Sequence, residues 1–280
     1  MSVPHIFDRH ARHVQRDRAA SAPPGFFAQT MAVDLLDRLD SVQRSFARAL
    51  VIGAEPLLVA GLAGRGIAVT VIEAAPERAA RLGAAAMEED ALELAAADFD
   101  LALSSGVLDT VADLPGALVQ IRRALRPDGL LLANLAAAPS LPALRAAVSA
   151  VDAAQGRAVA RFHPLVDVRT AGDLLARAGF ALPVADLDTL DIAYSGLAPL
   201  FADLRAAAST NVLAARHGVT RGWLAQLSEA FASAAGPDGR THEALSFVTL
   251  TGWAPADTQP QPARRGSATA SLARALGAER

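Results

Sequence analysis

Two residues carry the most specific chemical signal in this chain. Gly53 stands in the run Val51-Ile52-Gly53-Ala54-Glu55-Pro56, and Glu73 closes the run that begins at Ile67. A glycine after a short aliphatic run lets the chain turn and lets backbone come close to a ligand. A carboxylate at the end of the next strand is where nucleotide-binding α/β folds accept hydrogen bonds from ribose hydroxyls. The chemistry implied is recognition of a nucleoside. The turn has a single glycine, with Glu55 and Pro56 after it, so this spacing speaks more strongly for architecture than for ligand.

Further polar residues fall where the same architecture would use them. Ser105 and Asp109 lie at and after the end of the strand-like run 99–105, and Asn134 is the next-to-last residue of the run 130–135. In open α/β sheets, ligands bind beyond the carboxyl ends of the strands. Gly53, Glu73, Ser105 and Asn134 are therefore expected to converge at one edge, and that edge is expected to hold the only sizeable pocket. His163, before Pro164, and Tyr194, the one tyrosine, are the acid/base candidates elsewhere, with a packed, hydrogen-bonded role expected for each. Ser105 and His163 do not make a hydrolase, because no Gly-x-Ser-x-Gly elbow is present. His5, His10 and His13 read as solvated or capping groups rather than metal ligands. Asp100, inside its strand, reads as a residue that positions the strand.

Composition narrows the chemistry further. The 280 residues contain neither cysteine nor lysine, so disulfides, thiolate nucleophiles, Schiff bases and a Walker-type lysine are excluded. A formal charge of −3 gives no basic surface for nucleic acid. With 52% hydrophobic residues the chain can bury a full core, yet no apolar run has the length of a membrane span. A cytoplasmic location is expected, with no nucleic acid partner and no metal.

The elements that must position these residues alternate along the chain. A charged helix is expected over 1–25, ending at Pro23-Pro24-Gly25, and an amphipathic packing helix follows from Phe26. Pro56 and Pro76 each sit in the first turn of a crossover helix, where a missing N–H costs nothing. The run after Gly83 has poor strand character, so the sheet is expected to be short or irregular there. Residues 125–129, Leu-Arg-Pro-Asp-Gly, read as a turn before the buried strand 130–135. Later runs at 187–194 and 244–253 read as a pair that brings an antiparallel strand into the sheet. One domain over 26–254 follows, with a Pro- and Arg-rich tail over 255–280.

These pieces together resemble the class I S-adenosylmethionine-dependent methyltransferases, and within them the respiratory complex I assembly factor 5 family. The resemblance rests on Ile6-Phe-Asp-Arg9, Phe99-Asp-Leu101 with Ser104-Ser105, Asp113-Leu-Pro115, Leu125-Arg-Pro-Asp-Gly129, Asp173-Leu-Leu175, Arg177-Ala-Gly-Phe180 and Pro262-Ala-Arg-Arg-Gly-Ser-Ala268. Malonyl-acyl-carrier-protein carboxyl methyltransferases share the early Phe-Asp-Arg and the core.

The resemblance implies a doubly wound, mostly parallel seven-stranded sheet with a final antiparallel strand. It also implies S-adenosylmethionine as cofactor, Glu73 as the ribose acid, and Glu88 or Glu89 as the acid near adenine. Methyl transfer, or modification of an arginine, on a complex I subunit or a small-molecule acceptor is the implied activity. Where relatives have an Asp and a Gly-x-Gly turn, this chain has Val51 and Gly53-Ala54-Glu55-Pro56. Where they often have His and Trp, it has Asp109 and Thr110. A carboxylate at Glu55 would crowd the pocket and repel the cofactor's own carboxylate, so weak cofactor binding and a non-catalytic chaperone role are implied as the alternative.

Overall fold

Alternate residues of the central strands face opposite layers of helices, and this period of two builds the architecture. The computed structural model describes residues 6–21 and 25–260. Seven strands form one sheet: β1 (Arg48–Ile52), β2 (Ala68–Glu73), β3 (Ala85–Ala86), β4 (Phe99–Ser105), β5 (Leu125–Ala136), β6 (Ala181–Tyr194) and β7 (Thr241–Trp253), in the spatial order β3-β2-β1-β4-β5-β7-β6. The pairs from β3 to β5 are parallel, and β7 runs antiparallel between β5 and β6. The expected sheet is present, with its antiparallel strand last in sequence.

The helices are α1 (Arg9–Ala19), α2 (Phe26–Asp40), α3 (Pro56–Gly64), α4 (Pro76–Leu82), α5 (Leu114–Ala124), α6 (Pro142–Ala154), α7 (Val168–Arg177), α8 (Leu197–Ala206) and α9 (Arg221–Ala232). On one face Ala49, Val51, Leu101 and Leu103 pack against Leu35 and Leu39 of α2 and Leu58 and Leu62 of α3. On the other, Leu50, Ile52, Ala102 and Leu131 meet Leu118 and Ile121 of α5 and Leu175 of α7. Fully burying a leucine or isoleucine contributes about 1.5–3 kcal/mol, so these two layers dominate the stability of the sheet.

One sequence expectation is met and two change in detail. The strand after Gly83 is only Ala85–Ala86, as the weak pattern there implied. β6 begins at Ala181 rather than 187, with a register shift between Ala181 and Val184 that explains why its alternation is hard to read. Residues 125–129 belong to the extended start of β5, where Leu125 pairs with Phe99 before an irregularity, so the Pro-Asp-Gly sequence bends the strand without ending it. Asp100 accepts from the backbone N–H groups of Ala47 and Arg48 at 2.9 and 3.0 Å, positioning the entry to β1.

Two features outside the sheet set up the site. α6, α8 and α9 form a separate apolar cluster around Leu144, Val148, Leu200, Trp223, Leu227 and Phe231. The chain before α1 is tied to the segment after α8: Asp8 N–H donates to Val212 O and Ala214 N–H to Ile6 O, both at 2.8 Å, while Phe7 packs on Val212 and Leu213. The tail motif at 262–268 and His5 lie outside the described residues.

Candidate functional site

Helix α1 lies across the carboxyl edge of the sheet. Asp8 caps it, its side chain accepting from Ala11 N–H, and Arg9, Arg12, His13 and Arg16 then recur at spacings of three and four on one face. Each meets an acid of the sheet edge. Arg9 pairs with Asp90, Arg12 makes a two-pronged pair with Glu89 at 2.9 Å on both arms, and His13 Nε2 is 2.7 Å from Glu88. Arg16 donates from Nε and Nη2 to the two oxygens of Glu73 at 2.7 and 2.6 Å.

Glu73 is fully buried, and its hydrogen-bonding capacity is used within the chain. Besides Arg16 it accepts from Ala54 N–H at 3.1 Å and Ala75 N–H at 3.0 Å, and Arg78 Nε lies 3.1 Å away as a second cation. A carboxylate offers about four acceptor positions, so none remains for ribose hydroxyls. Burial opposes the charge, but Arg16 and these donors hold the Glu73 carboxyl down at about 2.

The turn at Gly53 is closed in the same way. Gly53 has φ +78°, which only glycine adopts freely, and a Cβ there would stand 2.3 Å from Val107 Cγ2 and 3.2 Å from Arg16 Nη2. Glu55 is buried and caps α3, accepting from Leu57 N–H at 3.3 Å, and burial pushes its carboxyl above the usual range. Arg78 Nη2 donates to Ala54 O at 2.6 Å, and Asp17 of α1 accepts from Arg78 N–H at 2.7 Å. The cavity left among Arg16, Glu55, Pro56 and Arg78 is about 90 Å³. Small-molecule pockets run from about 300 to 1,000 Å³, so this cavity is too small for a nucleoside, and beside it Arg16 takes the Glu73 oxygens.

The expectation that this edge holds the only sizeable pocket is therefore corrected, because the arginines of α1 occupy it. Gly53, Glu73, Ser105 and Asn134 do converge there. Ser105 is buried opposite Asn134 in the parallel register, and Asn134 Nδ2 donates to Met31 O at 2.7 Å. Of the two acids expected near adenine, Glu89 is the buried one, while Glu88 is half-buried against His13. The sequence signal missed was the match between the basic face of α1 and the run Glu88-Glu89-Asp90.

An apolar cavity of about 330 Å³ lies beyond Asp109, walled by α6, α8 and α9 through Leu144, Val148, Phe201, Trp223 and Leu227. Burial pushes the Asp109 carboxyl up to about 6, against the pull of Arg12 and Arg16. His163 lines the cavity and its Nε2 accepts from Val212 N–H at 2.9 Å, so the ring is neutral with its proton on Nδ1. Burial, with Arg145 nearby, pushes His163 down to about 4. Tyr194 donates to Asp203 Oδ2 at 3.0 Å, and burial raises its phenol. Both candidates thus hold structural hydrogen bonds. Among the described residues no group of three or more His, Asp or Glu is placed to hold a metal ion, and no helix is long and apolar enough to cross a membrane.

Comparison with known proteins matches this architecture. Residues 53–133 match the model of a methyltransferase domain. The chain is 27% identical to the mitochondrial arginine-hydroxylase NDUFAF5 of Danio rerio, over 96% of this chain and 88% of that protein. It is 32% identical to the malonyl-[acyl-carrier protein] O-methyltransferase of Xylella fastidiosa (strain M23), over 59% of this chain and 55% of that one. Among solved structures, a candidate methyltransferase of Bacillus halodurans C-125 superposes with a TM-score of 0.55 at 12% identity, covering 80% of this chain and all of its own. With its sheet order, its matched domain and its nearly full-length similarity to NDUFAF5, the chain is a methyltransferase-fold protein that resembles NDUFAF5.

Proposed function

We propose that this protein binds an acceptor in the apolar cavity without a bound S-adenosylmethionine while α1 is in place, as an assembly-type protein on a methyltransferase fold. The acceptor is a segment of a respiratory complex I subunit or a small molecule, and the site of action is the cytoplasm. The supporting observation is that Glu73 spends its acceptor positions on Arg16, Ala54 and Ala75. Glu73 is the ribose acid in the family resemblance, so S-adenosylmethionine and Arg16 compete for one carboxylate.

The second reading is an enzyme that transfers a methyl group, or modifies an arginine, once α1 withdraws. What favours it is the presence of buried Glu73 and Glu89 at the sheet edge, together with the methyltransferase domain matched over 53–133. In that reading Glu73, Glu89 and the turn at Gly53 would hold S-adenosylmethionine, and Glu88 and Ser105 would flank it.

The two readings part in one experiment. Full-length protein is examined by native mass spectrometry for co-purified S-adenosylmethionine, then incubated with cell extract and methyl-labelled S-adenosylmethionine. The proposal expects neither a bound cofactor nor any label beyond that taken up by the same extract without the protein. An acceptor labelled only when the protein is added would establish the enzyme instead.

A further inference from the structure

The cavity walled by α6, α8 and α9 has one arginine that, among the described residues, no carboxylate bonds. Its other two arginines are committed. Arg161 is paired through Nε and Nη2 with Asp152 at 2.6 and 2.9 Å, and Arg216 with Asp8 at 2.7 Å. Arg145 donates only from Nε, to Ser140 O at 2.7 Å, and its guanidinium lies 4.3 Å from the centre of the Phe162 ring. Its Nη1 and Nη2 have no hydrogen-bond or ion-pair partner among the described residues.

Of the other ionisable groups nearby, Glu243 attracts Arg145 through space but makes no hydrogen bond to it. Glu243 spends its oxygens on Ala143 N–H and Leu144 N–H at the start of α6, at 3.1 and 2.7 Å. His163 is a neutral acceptor for Val212 N–H. Asp109 lines the end nearest α1, under the influence of Arg12 and Arg16. Desolvation lowers the proton affinity of Arg145, with Glu243 only partly compensating. A half-buried cation with two free donors in an otherwise apolar enclosure is costly unless an anion completes it.

We infer that this cavity is a binding site for a small amphipathic anion, a medium-chain carboxylate whose head pairs with Arg145 and whose tail packs against Trp223, Leu227 and Phe201. The planar guanidinium fork matches a carboxylate two-to-two. The remaining wall is mostly aliphatic and aromatic, with Ser209, Thr210, Asn211 and His217 as further polar side chains, and Arg145 is its one arginine without a bonded carboxylate, so one negative charge is the complement. At about 330 Å³ the cavity sits at the small end of the ligand-pocket range, which suits a short acyl chain rather than a larger lipid. The inference rests on reading this cavity as the acceptor site, and it makes no use of S-adenosylmethionine.

The test is calorimetric titration of the full chain with octanoate and with 1-octanol, its uncharged counterpart. Octanoate is expected to saturate one site, and octanol to bind about ten- to a hundredfold more weakly, the loss of one charge-assisted pair. In Arg145→Gln, octanoate should fall to the level of octanol while octanol is unchanged. A bulky Leu227→Trp should weaken both. Equal binding of the two probes by the wild type, or no octanoate binding at millimolar concentration, would overturn the assignment. So would full octanoate affinity in an Arg145→Gln protein whose circular dichroism is native. Should that variant fail to fold, the comparison of the two probes on the wild type decides. Neither probe involves S-adenosylmethionine, so a positive result stands whatever the cofactor experiment gives.

Discussion

Arg16 of α1 grips both carboxylate oxygens of Glu73, at 2.7 and 2.6 Å, and Glu73 is fully buried beneath it. The helix that precedes the sheet is thus part of the carboxyl edge, and Arg16 holds the carboxylate that the proposed cofactor site would offer to a ribose. Arg12 repeats the arrangement one turn earlier on Glu89, with added bonds to Thr110 Oγ1 and Val107 O.

Breaking this pair from one side should be costly. Glu73→Gln leaves Arg16 and Arg78 as buried cations without their anion, and loss of one member of a buried pair costs about 3–5 kcal/mol. Urea denaturation should show that loss. Replacing Arg16 by Met in the same protein should recover part of it, since the double variant buries one cation fewer. A Glu73→Gln protein as stable as the wild type would show that the pair is not formed.

Glu55 alone is not what closes the edge. It caps α3 and lines the small cavity, but the partners of Glu73 are Arg16, Ala54 and Ala75, none of which is held through the Glu55 side chain. Glu55→Gly should cost about 1 kcal/mol or less as a lost cap and should leave S-adenosylmethionine binding undetectable by calorimetry. A gain of binding from this substitution alone would shift the obstruction from α1 to the turn.

The pH dependence of stability should carry two opposite signatures. Glu73, held at about 2 against an ordinary 4.5, contributes stability above pH 4.5 that is lost as the pH falls towards 2. Asp109, pushed up to about 6 from 3.8, contributes in the other direction, and its share is lost as the pH rises from 3.8 through 6. Asp109→Asn should therefore be more stable than the wild type at pH 7, by about 1–3 kcal/mol, and should show no advantage at pH 3. Urea midpoints at the two pH values measure this.

Asp152 fastens the wall of the apolar cavity. It takes Arg161 on both oxygens and accepts from Trp223 Nε1 at 2.8 Å, joining α6 to α9, while Arg161 stacks over the Trp223 ring at 4.3 Å. Asp152→Ala strands Arg161 and should cost about 3 kcal/mol or more in urea denaturation. The Trp223 fluorescence should shift towards that of a solvated indole, against a constant background from Trp253.

The sheet was legible because β1, β2, β4 and β5 are short aliphatic runs broken by Pro and Gly, and such runs have few alternatives. Gly53 and Glu73 were legible as an edge for the same reason. What could not be read was the occupant. Arg12 and Arg16 look like ordinary solvated residues along the chain, and their acids lie more than fifty positions away, so only the folded edge brings them together. The cavity escaped for a related reason. Its walls come from α6, α8 and α9, whose apolar faces read simply as packing surfaces until the three helices are placed around Arg145.

The most direct measurement of the central claim is calorimetric titration of S-adenosylmethionine into the wild type and into Arg12→Ala/Arg16→Ala protein of matching circular dichroism. The account predicts no saturable binding by the wild type up to about 1 mM, a free energy weaker than about −4 kcal/mol, and saturable binding once the two arginines are gone. Micromolar binding by the wild type would contradict it, since Glu73 would then be open to a ribose with α1 intact.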